Sequence, residues 1–220
     1  ASRRVDFPPN KNFFSRWKYA QPDRIVAISE CIARVMRDFG IPANKLRTVH
    51  SGIDLNRFDV APLSRSEIGI PEGVPLAGNV AALVGHKDHA TLLDAVPVIL
   101  REAPEFRLVI AGEGPLRPHL EAQIARLGIG HAVTLLGQRN DVPRLLRALD
   151  LFIMSSSEEG LGTSVLDAMA CGVTVVATDA GGIPEMVRDG ETGLLVQARN
   201  SADLADAVVR ATNDAQLREG

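Results

Sequence analysis

Glu159 and Asp167 stand eight positions apart, on either side of Gly160-Leu161-Gly162-Thr163-Ser164. An ionised carboxylate can only accept hydrogen bonds, so a pair of them suits a ligand rich in hydroxyl donors. The glycines between the acids let a ligand approach the backbone closely. Val165 and Met169, four apart, begin a helical pattern directly after them. Free N–H groups at such a helix start, with the positive end of its dipole, make a site for a phosphate or a sugar oxygen. A ligand carrying hydroxyls next to phosphates therefore fits the stretch. A hydroxyl cap and a glycine turn also serve structure alone in many α/β proteins, and the spacing by itself leaves both readings open.

The elements on either side must hold these residues in place. Leu151-Phe152-Ile153-Met154 has the length and composition of a buried strand, and polar Ser155 to Glu159 follow it. The order is strand, glycine-rich turn, helix. From Lys45 the same alternation runs along the chain, with strands expected at 46–50, 76–84, 106–111, 133–136, 173–178 and 193–196. The intervening helices carry apolar stripes such as Leu92, Leu93, Val96, Ile99 and Leu100. This is the signature of a parallel sheet with crossover helices, and in such sheets a ligand sits beyond the carboxyl ends of the strands. The turns at those ends carry Lys87, Gly112-Glu113-Gly114, Gly137-Gln138-Arg139, the Glu159 to Thr163 stretch and Gly181-Gly182. Small, polar and charged residues gather at one rim.

Ahead of Lys45, residues 24–29 read as a strand, and Ser29 as the cap of a helix over 30–39 with Ile32, Val35, Met36 and Phe39 on one face. Residues 1–23 hold Phe13, Phe14, Trp17 and Tyr19 without a regular period, as a loop or short helix. Gly112-Glu113-Gly114 begins like a dinucleotide fingerprint but has Arg117 where a third glycine should stand, so it reads as a turn in the crevice wall. Glu185, after Gly181-Gly182-Ile183-Pro184, reads as a helix-start carboxylate stabilised by local amides. Lys87, between His86 and His89, would in isolation be a solvated loop lysine.

With 220 residues and 45% hydrophobic content the chain can bury a good core. A net charge of −3 argues against a nucleic-acid or anionic-membrane binder driven by bulk charge. The two cysteines, Cys31 and Cys171, are far apart and suggest no disulfide framework, which fits a reducing cytoplasm. No apolar run approaches the ~20 residues needed to span a bilayer. Peripheral membrane contact stays open.

Read in full, Glu159-Gly160-Leu161-Gly162, Val165-Leu166-Asp167-Ala168-Met169-Ala170-Cys171-Gly172, Val175 to Asp179 and Gly181-Gly182-Ile183-Pro184-Glu185 closely resemble the donor-binding signature of retaining glycosyltransferases of family 4, which have the GT-B architecture. The resemblance implies that Lys87 meets the donor diphosphate and that Glu159 meets hydroxyls of the transferred sugar. It further implies that the amides of Gly160, Leu161, Gly162 and Thr163 steady the diphosphate, while Asp167 and the Gly137-Gln138-Arg139 turn hold the nucleoside. Three positions depart from the family pattern. Asp167 replaces a second Glu, with ~1.3 to 1.5 Å less reach. Ala82 stands where an Arg usually forms a second phosphate clamp, so that Arg139 or His86 substitutes or Lys87 and the amides act alone. Ser51 replaces an Asn in the hinge-like His50-Ser51-Gly52-Ile53-Asp54.

The expected fold is thus α/β, a Rossmann-like parallel sheet flanked by helices, the carboxy-terminal half of a GT-B enzyme. Residues 1–40 are expected to be a remnant or linker from an absent amino-terminal, acceptor-binding domain of ~150 residues or more, and 41–220 the nucleotide-sugar-binding domain. The implied reaction is sugar transfer from a nucleoside diphosphate sugar to an acceptor hydroxyl with retention. No metal and no cofactor beyond the nucleotide sugar are implied, and little turnover is expected of this chain alone. A nucleotide-sugar epimerase of the same architecture and a non-catalytic nucleotide-binding module are the alternatives.

Overall fold

The computed structural model describes residues 2–3 and 12–213; residues 1, 4–11 and 214–220 lie outside them. Three short strands, β1 (Ser2–Arg3), β2 (Ile25–Ala27) and β3 (Leu46–Thr48), form a small parallel sheet in that order. Helix α1 (Phe13–Ala20) precedes β2, and α2 (Glu30–Asp38) follows it. Ser29 caps α2 as its sequence position suggests: its hydroxyl accepts from the Ile32 amide at 3.1 Å, and Ile32, Ala33 and Met36 are buried. The strand expected at 24–29 is observed at Ile25–Ala27, in the middle of the small sheet. The strand at Leu46, read from the sequence as the first of the larger sheet, pairs instead with Ile25–Ala27. Strand periodicity marks a strand but not its partner, which is why the sequence misassigned it. On α1, Phe13, Phe14 and Trp17 are exposed.

The larger sheet has six parallel strands. Along the chain they are β4 (Leu76–Val80), β5 (Arg107–Ala111), β6 (Val133–Gly137), β7 (Leu151–Met154), β8 (Thr174–Thr178) and β9 (Leu194–Val196). Helices α3 (His89–Glu102), α4 (Arg117–Leu127), α5 (Val142–Leu146), α6 (Thr163–Ala170) and α7 (Ser201–Asn213) alternate with them or close the sequence. The expected helix near 183–188 is a single 3-10 turn, Ile183–Glu185.

Successive side chains on a strand face opposite sides of the sheet, so a strand buried on both faces reads as a continuous apolar run. Leu108 and Ile110 of β5 pack with α3, α4 and α7, while Val109 and Ala111 pack on the other face with α5 and α6. In β7, Ile153 joins the first core, and Phe152 and Met154 join the second.

The strand order is β6-β5-β4-β7-β8-β9. Connections leave β4 toward one edge and β7 toward the other, so the order reverses between these two neighbours. A crevice opens at the carboxyl ends wherever order reverses in this way, because the loops after the two strands diverge. Lys87 lies on the loop after β4 and Glu159 on the loop after β7.

Candidate functional site

The β4 loop runs through a 3-10 turn, Gly85–Lys87, into Asp88, whose backbone is left-handed at φ 47°. Aspartate tolerates this region better than most residues. Its carboxylate caps α3, accepting from the Thr91 amide at 3.4 Å and the Thr91 hydroxyl at 2.7 Å. The chain therefore bends sharply just after Lys87 and presents that side chain inward. The β7 loop meets it. The Ser157 amide donates to the His86 carbonyl at 2.8 Å and the Ser155 hydroxyl to the Lys87 carbonyl at 3.0 Å.

Across these interlocked loops the Lys87 ammonium forms an ion pair with the Glu159 carboxylate. Both side chains are largely withdrawn from water, at 16% and 12% exposure. The same Glu159 oxygen accepts from the Ser156 hydroxyl at 3.3 Å. Glu158 is exposed, as expected of the neighbour that cannot share the pocket. Side chains from the loops after two different strands, 72 positions apart, thus meet.

Beyond Glu159 the turn passes Gly162, at φ 82°, into α6, and no side chain caps that helix start. The Val165 amide donates to the Gly162 carbonyl at 2.8 Å, and a helix start of this kind suits an anionic acceptor at its first amides. Of the four residues named for this turn, Gly160, Leu161 and Gly162 are buried and Thr163 is exposed. Leu161 points away from the crevice: its side chain is part of the core formed by Ile25, Ile28, Ile32 and Met36, so only its backbone is free to serve a ligand.

Asp167, on the first turns of α6, is half-buried, and burial raises its carboxyl above the ordinary aspartate range, with Arg57 opposing that rise. The Gly137-Gln138-Arg139 turn sits against the Gly112 turn, whose amide donates to the Gly137 carbonyl at 2.8 Å. Gln138 is exposed. Arg139 is held by Asp141 through two hydrogen bonds of 2.8 and 2.6 Å. That fork raises the arginine and lowers the aspartate from their usual ranges. Arg139 is thus engaged locally rather than free to replace the cation missing at Ala82, which is itself exposed on its loop.

The carboxylate of Glu185 is not served by local amides. It accepts from the backbone N–H groups of Glu30 and Cys31, both at 2.8 Å, and lies 3.1 Å from Nε2 of His50. Burial would raise this carboxyl, but the two amides and His50 outweigh it and hold it below the ordinary glutamate range. The Ser29 hydroxyl donates to the Gly160 carbonyl at 2.6 Å. The start of α2 is therefore fastened to the Glu159 turn and to Glu185 at once, a contact between segments over 130 residues apart that no local pattern announces.

Asn79 and His89, beneath Lys87, were also missed, although an asparagine inside an apolar strand was a visible signal. His89 is 1% exposed. Burial, with a contribution from Lys87 and against one from Asp88, lowers its pKa from 6.5 to about 4. Between those values the unfolded chain binds a proton that the folded chain does not. His89 therefore contributes stability in full above about pH 6.5 and loses it as pH falls toward 4, by at most about 3 kcal/mol. Denaturant melts at about pH 7 and about pH 4.5 are expected to differ by less in His89→Gln than in the unaltered chain, by up to that amount.

The model of one glycosyltransferase family, "Glycosyl transferases group 1", matches residues 61–220. The chain belongs to that family. A second model, "Glycosyltransferase Family 4", matches residues 3–57, so the small sheet and the large sheet fall under different models. Among curated relatives of this group 1 chain, D-inositol 3-phosphate glycosyltransferase of Mycobacterium leprae is 35% identical over 91% of this chain and 48% of its own length. N-acetyl-alpha-D-glucosaminyl L-malate synthase of Bacillus anthracis is 28% identical over 95% and 55%. The chain thus spans about half the length of the curated relatives it matches. The crystal structure of Anabaena Alr3699/HepE in complex with UDP and glucose superposes with a TM-score of 0.85 at 26% identity, covering 93% of this chain and 57% of that one. The expected α/β fold, a Rossmann-like parallel sheet flanked by helices, is the fold observed. No described helix is long and apolar enough to cross a membrane.

Proposed function

We propose that this chain carries the donor half of a retaining glycosyltransferase, which transfers a sugar from a nucleoside diphosphate sugar to an acceptor hydroxyl in glycan synthesis. The observation that carries the reading is the Lys87–Glu159 ion pair across the point where strand order reverses. It puts a cation for the diphosphate and an acceptor for sugar hydroxyls side by side, next to the amino-terminal end of α6. Lys87 and the amides of Gly160 to Thr163 offset the charge that grows on the leaving phosphate, without a metal. Glu159 orients the sugar. Asp167 and the Gly137-Gln138-Arg139 turn hold the nucleoside, with Arg139 acting through its planar pairing with Asp141 rather than as a free charge.

The relatives named above are a glycosyltransferase and a synthase, and one superposed structure is a complex with UDP and glucose, which favours transfer over epimerisation or passive nucleotide binding. In this reading the acceptor is presented by the other half of the enzyme, on the cytoplasmic side, with peripheral membrane contact when the acceptor is a lipid. Calorimetric titration of the chain with UDP, GDP and ADP tests the proposal. One of the three is expected to bind below about 1 mM, a modest affinity for a half-site. Silence from all three at millimolar concentration removes the donor reading.

A further inference from the structure

Asn79 lies in the middle of β4 and is fully buried, and His89 opens α3 at 1% exposure. The Asn79 side-chain N–H donates to the Ile153 carbonyl on β7 at 2.8 Å, and His89 Nε2 lies 3.1 Å from Asn79 Oδ1. Because the amide nitrogen is committed to Ile153, Oδ1 is the acceptor, so the network assigns the imidazole proton to Nε2 and leaves Nδ1 bare. Among the described residues, His89 Nδ1 is the one buried side-chain nitrogen or oxygen without a hydrogen-bond partner.

Such an arrangement is expensive where apolar side chains would pack at both positions without desolvating a lone pair. What it supplies is direction. Apolar burial is non-directional, whereas two hydrogen bonds in series fix the height of the first residue of α3 against both β4 and β7. His89 follows Lys87 by two residues, and β7 is the strand that delivers Glu159. From above, the bonds from the Ser157 amide to the His86 carbonyl and from the Ser155 hydroxyl to the Lys87 carbonyl tie the same two loops together. Lys87 is thus pinned from both sides to the segment that ends in Glu159.

Resting on the donor-site reading above, we propose that Asn79 and His89 are positioning residues for Lys87: the relay from the Ile153 carbonyl through Asn79 to His89 sets the start of α3 so that the Lys87 ammonium meets Glu159 and the donor diphosphate. Neither residue touches ligand in this arrangement. Each acts through the loop above it.

The test uses the chain as it stands, with His89→Leu, His89→Gln and, as a control, Leu92→Ala, which cuts a fully buried side chain on the same helix outside the relay. Two readouts are taken: the rate at which an amine-labelling reagent modifies Lys87 without ligand, followed by mass spectrometry, and the affinity for UDP. His89→Leu is expected to label Lys87 about fivefold faster and to bind UDP about tenfold more weakly, since a displacement of a fraction of an ångström suffices at a charged contact. His89→Gln, which keeps an N–H within reach of Asn79, is expected to stay within about threefold of the unaltered chain in both. Leu92→Ala is expected to lower stability and to leave both unchanged.

A folded His89→Leu that labels and binds like the unaltered chain overturns the proposal, as does a Leu92→Ala that moves Lys87 equally. If His89→Leu does not fold, Asn79→Ser cuts the relay at its middle with little loss of volume and carries the same two expectations. Failure of the unaltered chain to bind any of UDP, GDP and ADP counts against the donor reading alone, because the labelling arm still decides the relay; if GDP or ADP is the one that binds, it replaces UDP in the affinity readout.

Discussion

Glu159→Gln is expected to tighten the binding of a bare nucleoside diphosphate, and Lys87→Met to abolish it, although both side chains line one site. In the chain the two neutralise each other. A diphosphate must therefore draw Lys87 away from Glu159, and an adjacent carboxylate repels it. Removing one member of a largely buried pair leaves the other charge uncompensated. In Glu159→Gln that charge is an ammonium, which a diphosphate satisfies, and a gain of about tenfold in affinity for UDP is expected. In Lys87→Met it is a carboxylate facing the phosphates, and a loss of about a hundredfold or more is expected.

The same argument makes Glu159→Gln less stable than the unaltered chain without ligand and more strongly stabilised by added diphosphate. Intact nucleotide sugar behaves differently, because its hydroxyls lose their acceptor when Glu159 is replaced. Calorimetric titration of both variants with UDP and with a UDP-sugar separates the cases. Equal losses of UDP affinity in the two variants would show that Glu159 supports the diphosphate rather than competing for the lysine.

Gly181→Ala is expected to be the most damaging single-methyl change near the site. A Cβ at Gly181 would lie 1.8 Å from the Glu159 carbonyl oxygen and 2.7 Å from its carbon, at a backbone φ of +57°. Those atoms belong to the turn itself, which Gly182 also grips by donating its amide to the Glu159 carbonyl at 2.9 Å. Nothing flexible can yield. The variant either shifts the Glu159 turn or unfolds it, at about 3 kcal/mol or more. For a chain of this size that lowers the thermal midpoint by roughly 6 to 12 °C.

Gly190→Ala is the control. Its φ is +73°, yet nothing lies within 4 Å of its added Cβ, so only the left-handed backbone penalty of about 1 kcal/mol remains. Thermal melts of the two variants side by side distinguish steric conflict from backbone strain. Equal midpoints would mean that the Gly181 contact relaxes freely.

Much of this molecule was legible from periodicity. The apolar runs at Leu108 to Ala111 and Leu151 to Met154 are strands because only a strand buried on both faces is apolar at every position. The stripe Leu92, Leu93, Val96 and Ile99 is the buried side of α3, as its spacing required. The rim was legible too. Parallel strands joined by right-handed crossovers put all their carboxyl ends on one side, so the turns after them had to share it. That reasoning places Lys87 and Glu159 on the same rim, but a rim six strands wide does not make them neighbours.

Adjacency was decided by the strand order, which sets β4 beside β7 although two strands and three helices separate them along the chain. The same holds for the other contacts that sequence reasoning left unseen or misread. Glu185 caps α2 from 154 and 155 positions away, Leu161 turns from the crevice into the α2 core, and β3 joins β2 rather than β4. Arg139 is spent on Asp141, two residues on, because fork geometry favours the near carboxylate. Sequence determines which face of an element is apolar and where it stops, since those follow from side chains a few bonds apart. Which face meets which partner depends on loop closure and on how the segments pack once they are all present, and only the folded chain contains that information.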